Sequence, residues 1–210
     1  MRVLFDTTHP ADVHLFKNAI RRLEEGGHRV LLTTRDKDVT LRLLQELNIE
    51  HVCLSRMGHG MASMARELLV RHVRMFRVAR EFRPDVMVAR MGISIGPAGM
   101  LLGAPRIVIE DTEHARLQLA LSLPFASIIL TGFGYLKDYG PRQVRFRSMP
   151  VLAYLAPSVF KPDPQILRTF GVNNDEPYIV LRIVSWQAVH DTGLKGASDE
   201  QLMAVVEGRA

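Results

Sequence analysis

A buried-strand pattern followed by a polar loop and a helix opens the chain, and this feature constrains the fold most. The apolar run ends on Asp6, the loop carries His9 and His14, and an amphipathic helical pattern follows over 15–25. A Gly-Gly helix stop and a second strand pattern at 28–34 complete a β-α-β unit within about 35 residues. Such crossovers are right-handed and join parallel strands. The opening therefore predicts an α/β protein with a parallel sheet.

The same alternation continues along the chain. It predicts further strands at 49–54, 85–89, 106–109, 127–131 and 143–146, with helices at 39–47, 61–82, 94–102 and 115–121 between them. Three prolines within 157–164 then indicate a stiff connection. Beyond it the pattern predicts a short helix at 164–170, a strand at 178–184 and a capped helix at 198–206. We predict a Rossmann-like first domain over 1–155, a linker over 156–176 and an incomplete second α/β domain over 177–210.

Composition excludes several classes of protein. The apolar and charged fractions, 47% and 23%, are those of an ordinary globular protein. The single cysteine, Cys53, excludes an intrachain disulfide and any cysteine-cluster metal site. No apolar run approaches the roughly 20 residues of a membrane span, and Asp6 interrupts the first apolar run too early for a signal peptide. We therefore expect a cytoplasmic protein.

The formal net charge of +5 comes mainly from arginine. No aromatic-interleaved basic strand or zinc-finger spacing accompanies it, so we expect no nucleic-acid partner. Within 61–82 the apolar stripe expected to be buried is Met64, Ala65, Leu68, Leu69, Val73, Phe76, Ala79 and Phe82, with arginines largely off it. That pattern favours a solvated basic face. The alternative is peripheral attachment to anionic lipid at the inner membrane face.

Polar residues gather where three predicted strands end. In a doubly wound sheet these ends surround the ligand-binding edge. Histidine and carboxylate side chains suit acid–base chemistry, and arginine beside glycine-rich backbone suits anions. The candidates are Asp6, His9 and His14 after the first strand, Arg90 and Gly92 after the fourth, and Glu110, Asp111, Glu113 and His114 after the fifth.

Each candidate has a structural alternative. Asp6 could cap the turn, His9 could shape the loop beside its proline, and His14 could pack on the sheet. Close helix-to-strand packing is the favoured explanation of the glycine series Gly92, Gly96 and Gly99, which does not match a dinucleotide-binding fingerprint. A zinc site at His9, Asp12 and His14 would lack the i, i+4 helical spacing and an obvious fourth ligand, so we expect no metal site. In the last segment Arg182, Trp186 and His190 suit an anionic donor, with a surface loop as the equal alternative.

These motifs, taken together, resemble an archaeal and bacterial family of a domain of unknown function that is predicted to have the GT-B glycosyltransferase fold. The strongest match is the opening D-T-T-H-P-A-D-V-H-L-F-K. It is continued in order by G-H-R-V at 27–30, R-P-D-V at 83–86, D-T-E-H-A at 111–115, L-A-Y-L at 152–155, F-K-P-D-P at 160–164 and the segment 181–191. The resemblance covers nearly the whole chain.

The resemblance implies two Rossmann-like domains, the first taking an acceptor and the second a UDP-type nucleotide-sugar donor, with no metal or cofactor. For sugar transfer we expect His9 or His14 to act as general base, Glu110 or Asp111 to orient the acceptor, and Arg182 to help neutralise the leaving diphosphate. Family members are longer, so we expect this chain to lack most of the donor domain and to be inactive alone. Residues 148–151, S-M-P-V, depart from the glycine and acid expected there. A nucleotide-sugar 2-epimerase and a non-catalytic glycan- or lipid-binding remnant remain as alternatives.

Overall fold

The computed structural model describes residues 1–58, 60–173, 177–180 and 197–208. The chain divides into two compact units, Met1–Lys161 and Pro162–Ala210. The predicted boundaries at 155 and 176, and the prediction that the second domain is incomplete, remain predictions.

Alternating strands and helices form the first unit. Its strands are β1 (Arg2–Thr7), β2 (Arg29–Asp36), β3 (His51–Arg56), β4 (Val86–Arg90), β5 (Arg106–Glu110), β6 (Ile128–Thr131) and β7 (Gln143–Arg145). Its helices are α1 (Pro10–Glu25), α2 (Thr40–Glu46), α3 (Met61–Phe82), α4 (Ile95–Leu102), α5 (Arg116–Ser122) and α6 (Leu152–Leu155), with short 3-10 turns at Leu123–Phe125 and Gly140–Arg142.

The seven strands form one parallel sheet in the order β3-β2-β1-β4-β5-β6-β7. The order reverses direction between β1 and β4, where Asp6 pairs with Ala89. Crevices that bind ligands open at such a switch point, beyond the carboxyl ends of the strands. The predicted α/β class with a Rossmann-like parallel sheet is confirmed.

Side-chain alternation along the strands creates a hydrophobic core on each face of the sheet. On one face Val3 and Phe5 pack with Phe16 and Ile20 of α1. On the other, Leu4 packs with apolar residues of α3 and α4, among them Met75. Helices therefore cover both faces, which explains why the central strands read as continuous apolar runs.

Helix α1 begins five residues earlier than the apolar periodicity predicts. His9 is its N-cap and accepts a hydrogen bond from the Ala11 backbone N–H through Nδ1 at 3.1 Å. The Asp12 carboxylate returns to the N–H of His9 at 3.0 Å, which completes a capping box, and Pro10 occupies the first turn. The predicted polar loop is thus largely the first turns of a helix.

The buried face of α3 coincides only in part with the predicted apolar stripe: Ala79 is buried and Phe76 and Phe82 pack against the core, but the rest of the prediction was wrong. Residues Glu67, Arg71, Met75 and Ala79 are buried, whereas Leu69 and Val73 are 70% and 51% exposed. Two charged side chains face the sheet because they find partners at the strand ends, as described below. An apolar strip with exposed arginines beside it is consequently left on the outer face of α3.

The described part of the second unit contains two helices, α7 (Gln165–Thr169) and α8 (Asp199–Val206). The predicted capping box of α8 is confirmed, since the Ser198 hydroxyl accepts from the Gln201 N–H at 3.2 Å and the Gln201 side chain accepts from the Ser198 N–H at 2.9 Å. Of the predicted strand, 178–180 is not in a strand and 181–184 lies outside the described residues. Within the described ranges, no helix combines the length and apolarity needed to cross a bilayer.

Candidate functional site

A cavity of about 550 Å³ lies at the carboxyl ends of β4, β5 and β6. Its polar lining consists of Arg90 after β4 and of Asp111, Glu113 and His114 after β5. The remaining lining residues are small or apolar: Ala11, Leu15, Gly132, Phe133, Gly134, Tyr135, Met149, Pro150, Val151 and Tyr154. The cavity thus brings together four of the sequence candidates on one side of the switch point.

Arg90 is held between two carboxylates at the edge of this cavity. Its Nε donates to Asp12 Oδ1 at 2.6 Å, and its Nη1 lies 3.4 Å from Asp111 Oδ1. Asp12 is 1% exposed and belongs to α1, whereas Asp111 follows β5. These two contacts connect the end of β4 to α1 and to the segment after β5, and they orient the Arg90 side chain.

Glu113 and the segment after β6 form the opposite wall. The Glu113 carboxylate accepts hydrogen bonds from the N–H groups of Leu136 and Lys137, while Lys137 Nζ donates to the Glu113 carbonyl at 2.6 Å. The hydroxyl groups of Tyr135 and Tyr139 form a hydrogen bond, with 2.9 Å between their oxygens. Burial, followed by the Tyr139 hydrogen bond, raises the pKa of Tyr135 above its usual value. The phenol therefore stays protonated.

Glu110 ends β5 immediately before the acidic lining residue Asp111. Its side chain is fully buried, and among the residues that the structure describes neither carboxylate oxygen has a hydrogen-bond partner. Burial, reinforced by the Asp111 charge and opposed by Arg90, raises the pKa of Glu110 to about 8. The group is consequently a neutral acid at pH 7. Glu110 does not line the cavity, so its predicted role in orienting an acceptor remains a prediction.

Asp6 is buried in a different setting, on the β1–β3 side of the switch point. It pairs with Arg71 of α3 and accepts from Thr33 Oγ1 at 2.8 Å. Arg71 also donates to Ser94 Oγ at 2.8 Å and to the Thr34 carbonyl at 3.0 Å. Burial raises the pKa of Asp6, and the Arg71 charge opposes that shift. Since Asp6 does not line the cavity and its Oδ1 accepts from both Arg71 and Thr33, its geometry favours a structural role.

A second buried ion pair extends this network. Glu67 receives two hydrogen bonds from Arg35, at 2.6 and 2.5 Å, and one from Ser55 Oγ at 2.8 Å. Ser55 Oγ in turn accepts from Arg71 Nη1 at 3.2 Å. Side chains from β1, β2, β3 and α3 are therefore linked by polar bonds. The sequence interpretation missed these residues because their charges suggested a solvated helix face.

The two histidines of the first loop do not line the cavity. His9 uses Nδ1 as the α1 cap, which leaves Nε2 as the protonated nitrogen of its neutral form. Burial lowers the pKa of His9 and of His14. His14 packs against the cavity residue Tyr154, with ring centroids 5.5 Å apart. This geometry does not favour His9 as a general base and places His14 behind the wall.

The three glycines of the series lie in close contact with neighbouring side chains. A Cβ on Gly92 would lie 2.6 Å from Val108 Cγ2, and one on Gly96 would lie 2.8 Å from Phe125 Cβ. A Cβ on Gly99 would lie 2.4 Å from Arg106 Cδ. These distances favour the packing interpretation over contact with a ligand.

The aromatic wall of the cavity was missed by sequence reasoning. Phe133, Tyr135 and Tyr154 lie in or beside irregular segments, where no periodicity marks them. Arg182, Trp186 and His190 lie outside the described residues, so their predicted donor contacts remain predictions. Among the residues that the structure describes, no three His, Cys, Asp or Glu side chains are grouped closely enough to hold a metal ion.

Comparison with solved structures identifies similar folds at low sequence identity. MurG from Acinetobacter baumannii matches 69% of this chain and 45% of its own, with a TM-score of 0.57 and 18% identity. S. aureus MnaA in complex with UDP matches 81% of this chain and 51% of its own, with a TM-score of 0.56 and 11% identity. The UDP-GlcNAc 2-epimerase of Methanocaldococcus jannaschii matches 63% and 39%, with a TM-score of 0.52 and 15% identity. These likenesses show a GT-B-like fold.

Comparison with curated sequences identifies a relative from Methanocaldococcus jannaschii, the source of the epimerase described above. An uncharacterized protein of Methanocaldococcus jannaschii is 27% identical over 188 residues, which cover 86% of this chain and 55% of the relative. The chain thus spans about half the length of this relative. A family model described as a protein of unknown function, DUF354, matches residues 1–207. The resemblance found in the sequence is confirmed, and the chain belongs to the DUF354 family.

Proposed function

We propose that the chain carries the acceptor-binding domain of a glycosyltransferase that uses a nucleotide-sugar donor. The observation that supports this most is the cavity beyond β4–β6, which combines acid–base side chains with an aromatic wall beside the switch point of a GT-B-like sheet. Similarity to a transferase and to UDP-GlcNAc epimerases supports a nucleotide sugar as donor. Within this chain, donor contacts are expected among residues 181–191, which contain Arg182, Trp186 and His190.

In the proposed reaction, a carboxylate or imidazole of the cavity takes the proton of an acceptor hydroxyl. The acceptor oxygen forms a bond to the anomeric carbon as the bond from that carbon to the nucleoside diphosphate breaks. Asp111 and His114 are the candidates for the base because both line the cavity. Arg90 orients the Asp111 carboxylate, which accepts from its Nη1 at 3.4 Å.

Calorimetry with UDP and UDP-N-acetylglucosamine, on this chain and on the full-length Methanocaldococcus jannaschii relative, tests the donor class. We expect binding by the relative, followed by UDP release that depends on an added acceptor. Formation of an isomeric UDP-sugar without any acceptor would instead establish a 2-epimerase. If neither protein binds either compound, the nucleotide-sugar proposal is wrong, and a non-catalytic binding module becomes the better account.

A peripheral contact with anionic lipid is a separate proposal, carried by the outer face of α3. Leu69 and Val73 are exposed there, and Arg66, Arg77 and Arg80 are exposed on the same face. An apolar strip between cations is complementary to a surface that offers both acyl chains and negative headgroups. Anionic lipid is therefore the expected occupant of this face.

Sedimentation with vesicles checks the lipid contact. The chain should bind phosphatidylglycerol vesicles and not phosphatidylcholine vesicles, and Leu69→Ser or Arg66→Gln should weaken that binding. Val144→Ser, at a half-exposed position on β7, is the matched control and should bind as the unaltered chain does. Equal binding by all the variants would contradict the assignment of this face.

A further inference from the structure

The turn that connects β1 to α1 has the geometry of an anion site that the chain fills itself. Backbone N–H groups at the start of a helix commonly cradle phosphate. Here Asp12 Oδ2 accepts from the Thr8 N–H at 2.9 Å and from the His9 N–H at 3.0 Å. Pro10 has no N–H, and the N–H that follows, of Ala11, donates to His9 Nδ1 at 3.1 Å. An external phosphate would therefore have to displace a buried carboxylate.

The cation nearest to this turn is also compensated. Arg90 donates from Nε to Asp12 Oδ1 at 2.6 Å, and its Nη1 faces Asp111 at 3.4 Å. Two carboxylates thus share one guanidinium, whose side chain is only 20% exposed. A phosphate approaching Arg90 would have to replace one of these partners and would meet the charge of the other.

The charges of the cavity lining oppose a further anion. Asp111 and Glu113 outweigh Arg90 there, which leaves one formal negative charge when His114 is neutral. Lys137 does not line the cavity, and its Nζ is engaged by the Glu113 carbonyl, to which it donates at 2.6 Å. The local potential therefore disfavours phosphates and tolerates neutral ligands.

The other walls suit a ring with an apolar face. Phe133, Tyr135 and Tyr154 line the cavity, and Phe133 is 76% exposed. Aromatic faces pack against C–H surfaces, while a few convergent polar groups bind hydroxyls and fix orientation. A saccharide offers both kinds of surface without carrying a charge.

We propose that this cavity binds an uncharged, hydroxyl-rich ligand of the saccharide class and discriminates against phosphorylated ones, with Asp12 as the specificity-determining residue. The inference rests on the proposed function in one respect, since it names the chemical class of the acceptor. Asp12 acts by occupying the position that a phosphate would take and by compensating Arg90.

The experiment is a backbone amide NMR titration of the full chain with matched probes. These are the methyl β-glycosides of glucose and N-acetylglucosamine, glucose 6-phosphate, N-acetylglucosamine 1-phosphate and inorganic phosphate. We expect the neutral glycosides to shift amides of residues lining the cavity, and each phosphorylated sugar to bind at least about tenfold more weakly than its neutral counterpart.

The variant Asp12→Asn keeps an oxygen that can accept from the Thr8 and His9 N–H groups but removes the charge that compensates Arg90. In this variant, the ratio of the dissociation constants of the phosphorylated and neutral sugars should fall about tenfold. Asp85→Asn removes the same charge from the Arg2 pair at the amino end of β4 and should leave the difference unchanged. This control separates a local effect from a change in net charge.

Three results would overturn the inference: tighter binding of a phosphorylated sugar by the unaltered chain, an unchanged difference in Asp12→Asn, or no cavity shifts with any saccharide. The proposed function fails independently, because it depends on UDP-sugar binding and turnover by the full-length relative. Selective binding of neutral glycosides without donor turnover would support the inference and contradict the transferase.

Discussion

Two buried carboxylates end two strands of the same sheet, yet their surroundings differ completely. Asp6, at the end of β1, pairs with Arg71 and accepts from Thr33. Glu110, at the end of β5, has no hydrogen-bond partner on either oxygen within the described part of the chain. Buried polar groups that satisfy one another stabilise and position a structure, whereas unsatisfied ones mark places where function sets the composition. We therefore interpret the β1–β3 side as the polar scaffold of this domain and propose the β4–β6 side as its ligand site.

The largest effect is expected on the scaffold side. Arg71→Met leaves the Asp6 carboxylate buried without a cation, so the free energy of unfolding should fall by about 3–5 kcal/mol. The deficit should shrink as the pH falls, because a protonated Asp6 needs no counter-charge. Urea denaturation measures both effects. Arg77→Met, on the exposed face of the same helix, should stay within about 0.5 kcal/mol of the unaltered chain, and equal losses would contradict the scaffold assignment.

Glu110 also makes the folded chain less stable as the pH rises, but here the substitution should stabilise the chain rather than destabilise it. Its pKa is about 8 in the folded chain against an ordinary value of 4.5. Between pH 4.5 and about 8, Glu110 is ionised in the unfolded chain but still protonated in the folded chain. The free energy of unfolding therefore falls by at most about 1.4 kcal/mol for each unit that the pH rises.

Glu110→Gln should remove that contribution and should be more stable than the unaltered chain at pH 8. Denaturation at pH 5, 6, 7 and 8 measures the difference. Glu81→Gln, an exposed glutamate on α3, should keep the original slope. Parallel stability curves for the unaltered chain and Glu110→Gln would show that Glu110 ionises normally.

Gly92 tests whether the end of β4 is shaped by packing. Its φ is +59°, and an added Cβ would meet Val108 Cγ2 at 2.6 Å. Gly103 has a φ of +69° with nothing within 4 Å, so Gly103→Ala should cost only backbone strain, about 1 kcal/mol. Gly92→Ala should cost about 1–3 kcal/mol more. Thermal or urea unfolding of the two variants measures these losses in the free energy of unfolding. Equal losses would contradict the packing role of Gly92 and favour contact with a ligand.

His9 gives the smallest effect and separates capping from catalysis. His9→Ala should destabilise the chain by about 1 kcal/mol because the α1 cap is lost, whereas His9→Asn supplies another capping acceptor and should retain stability. Denaturation measures both variants. Loss of saccharide binding in a fully stable His9→Asn variant would contradict a purely capping role.

The elements of the fold were largely predictable because each central strand is a short apolar run bounded by glycine, proline or charge. The start of α1 was not, since His9 is an uncommon N-cap and the first helical turns are polar. The orientation of α3 was predicted only in part, for a different reason. Glu67 and Arg71 face the sheet only because Arg35 and Asp6 meet them there, and pairs so distant in sequence leave no periodic signal.

The candidate site was half visible in the sequence. The acids after β5 could be found because parallel strands bring their carboxyl ends to one edge. The pairing of Asp12 with Arg90 could not, although an acid three residues after the cap position is the signal of a capping box. Phe133 and Tyr154 lie where only the folded chain brings an aromatic side chain to the cavity.

The most direct test of the central claim is to map where a saccharide contacts the chain. Amide shifts induced by methyl N-acetyl-β-glucosaminide should cluster at Asp111–His114, Gly132–Tyr135 and Met149–Tyr154, which contribute residues to the cavity lining. The amides around Asp6, Glu67 and Arg71 should not move. Shifts confined to the β1–β3 side would contradict the division into a scaffold side and a ligand side.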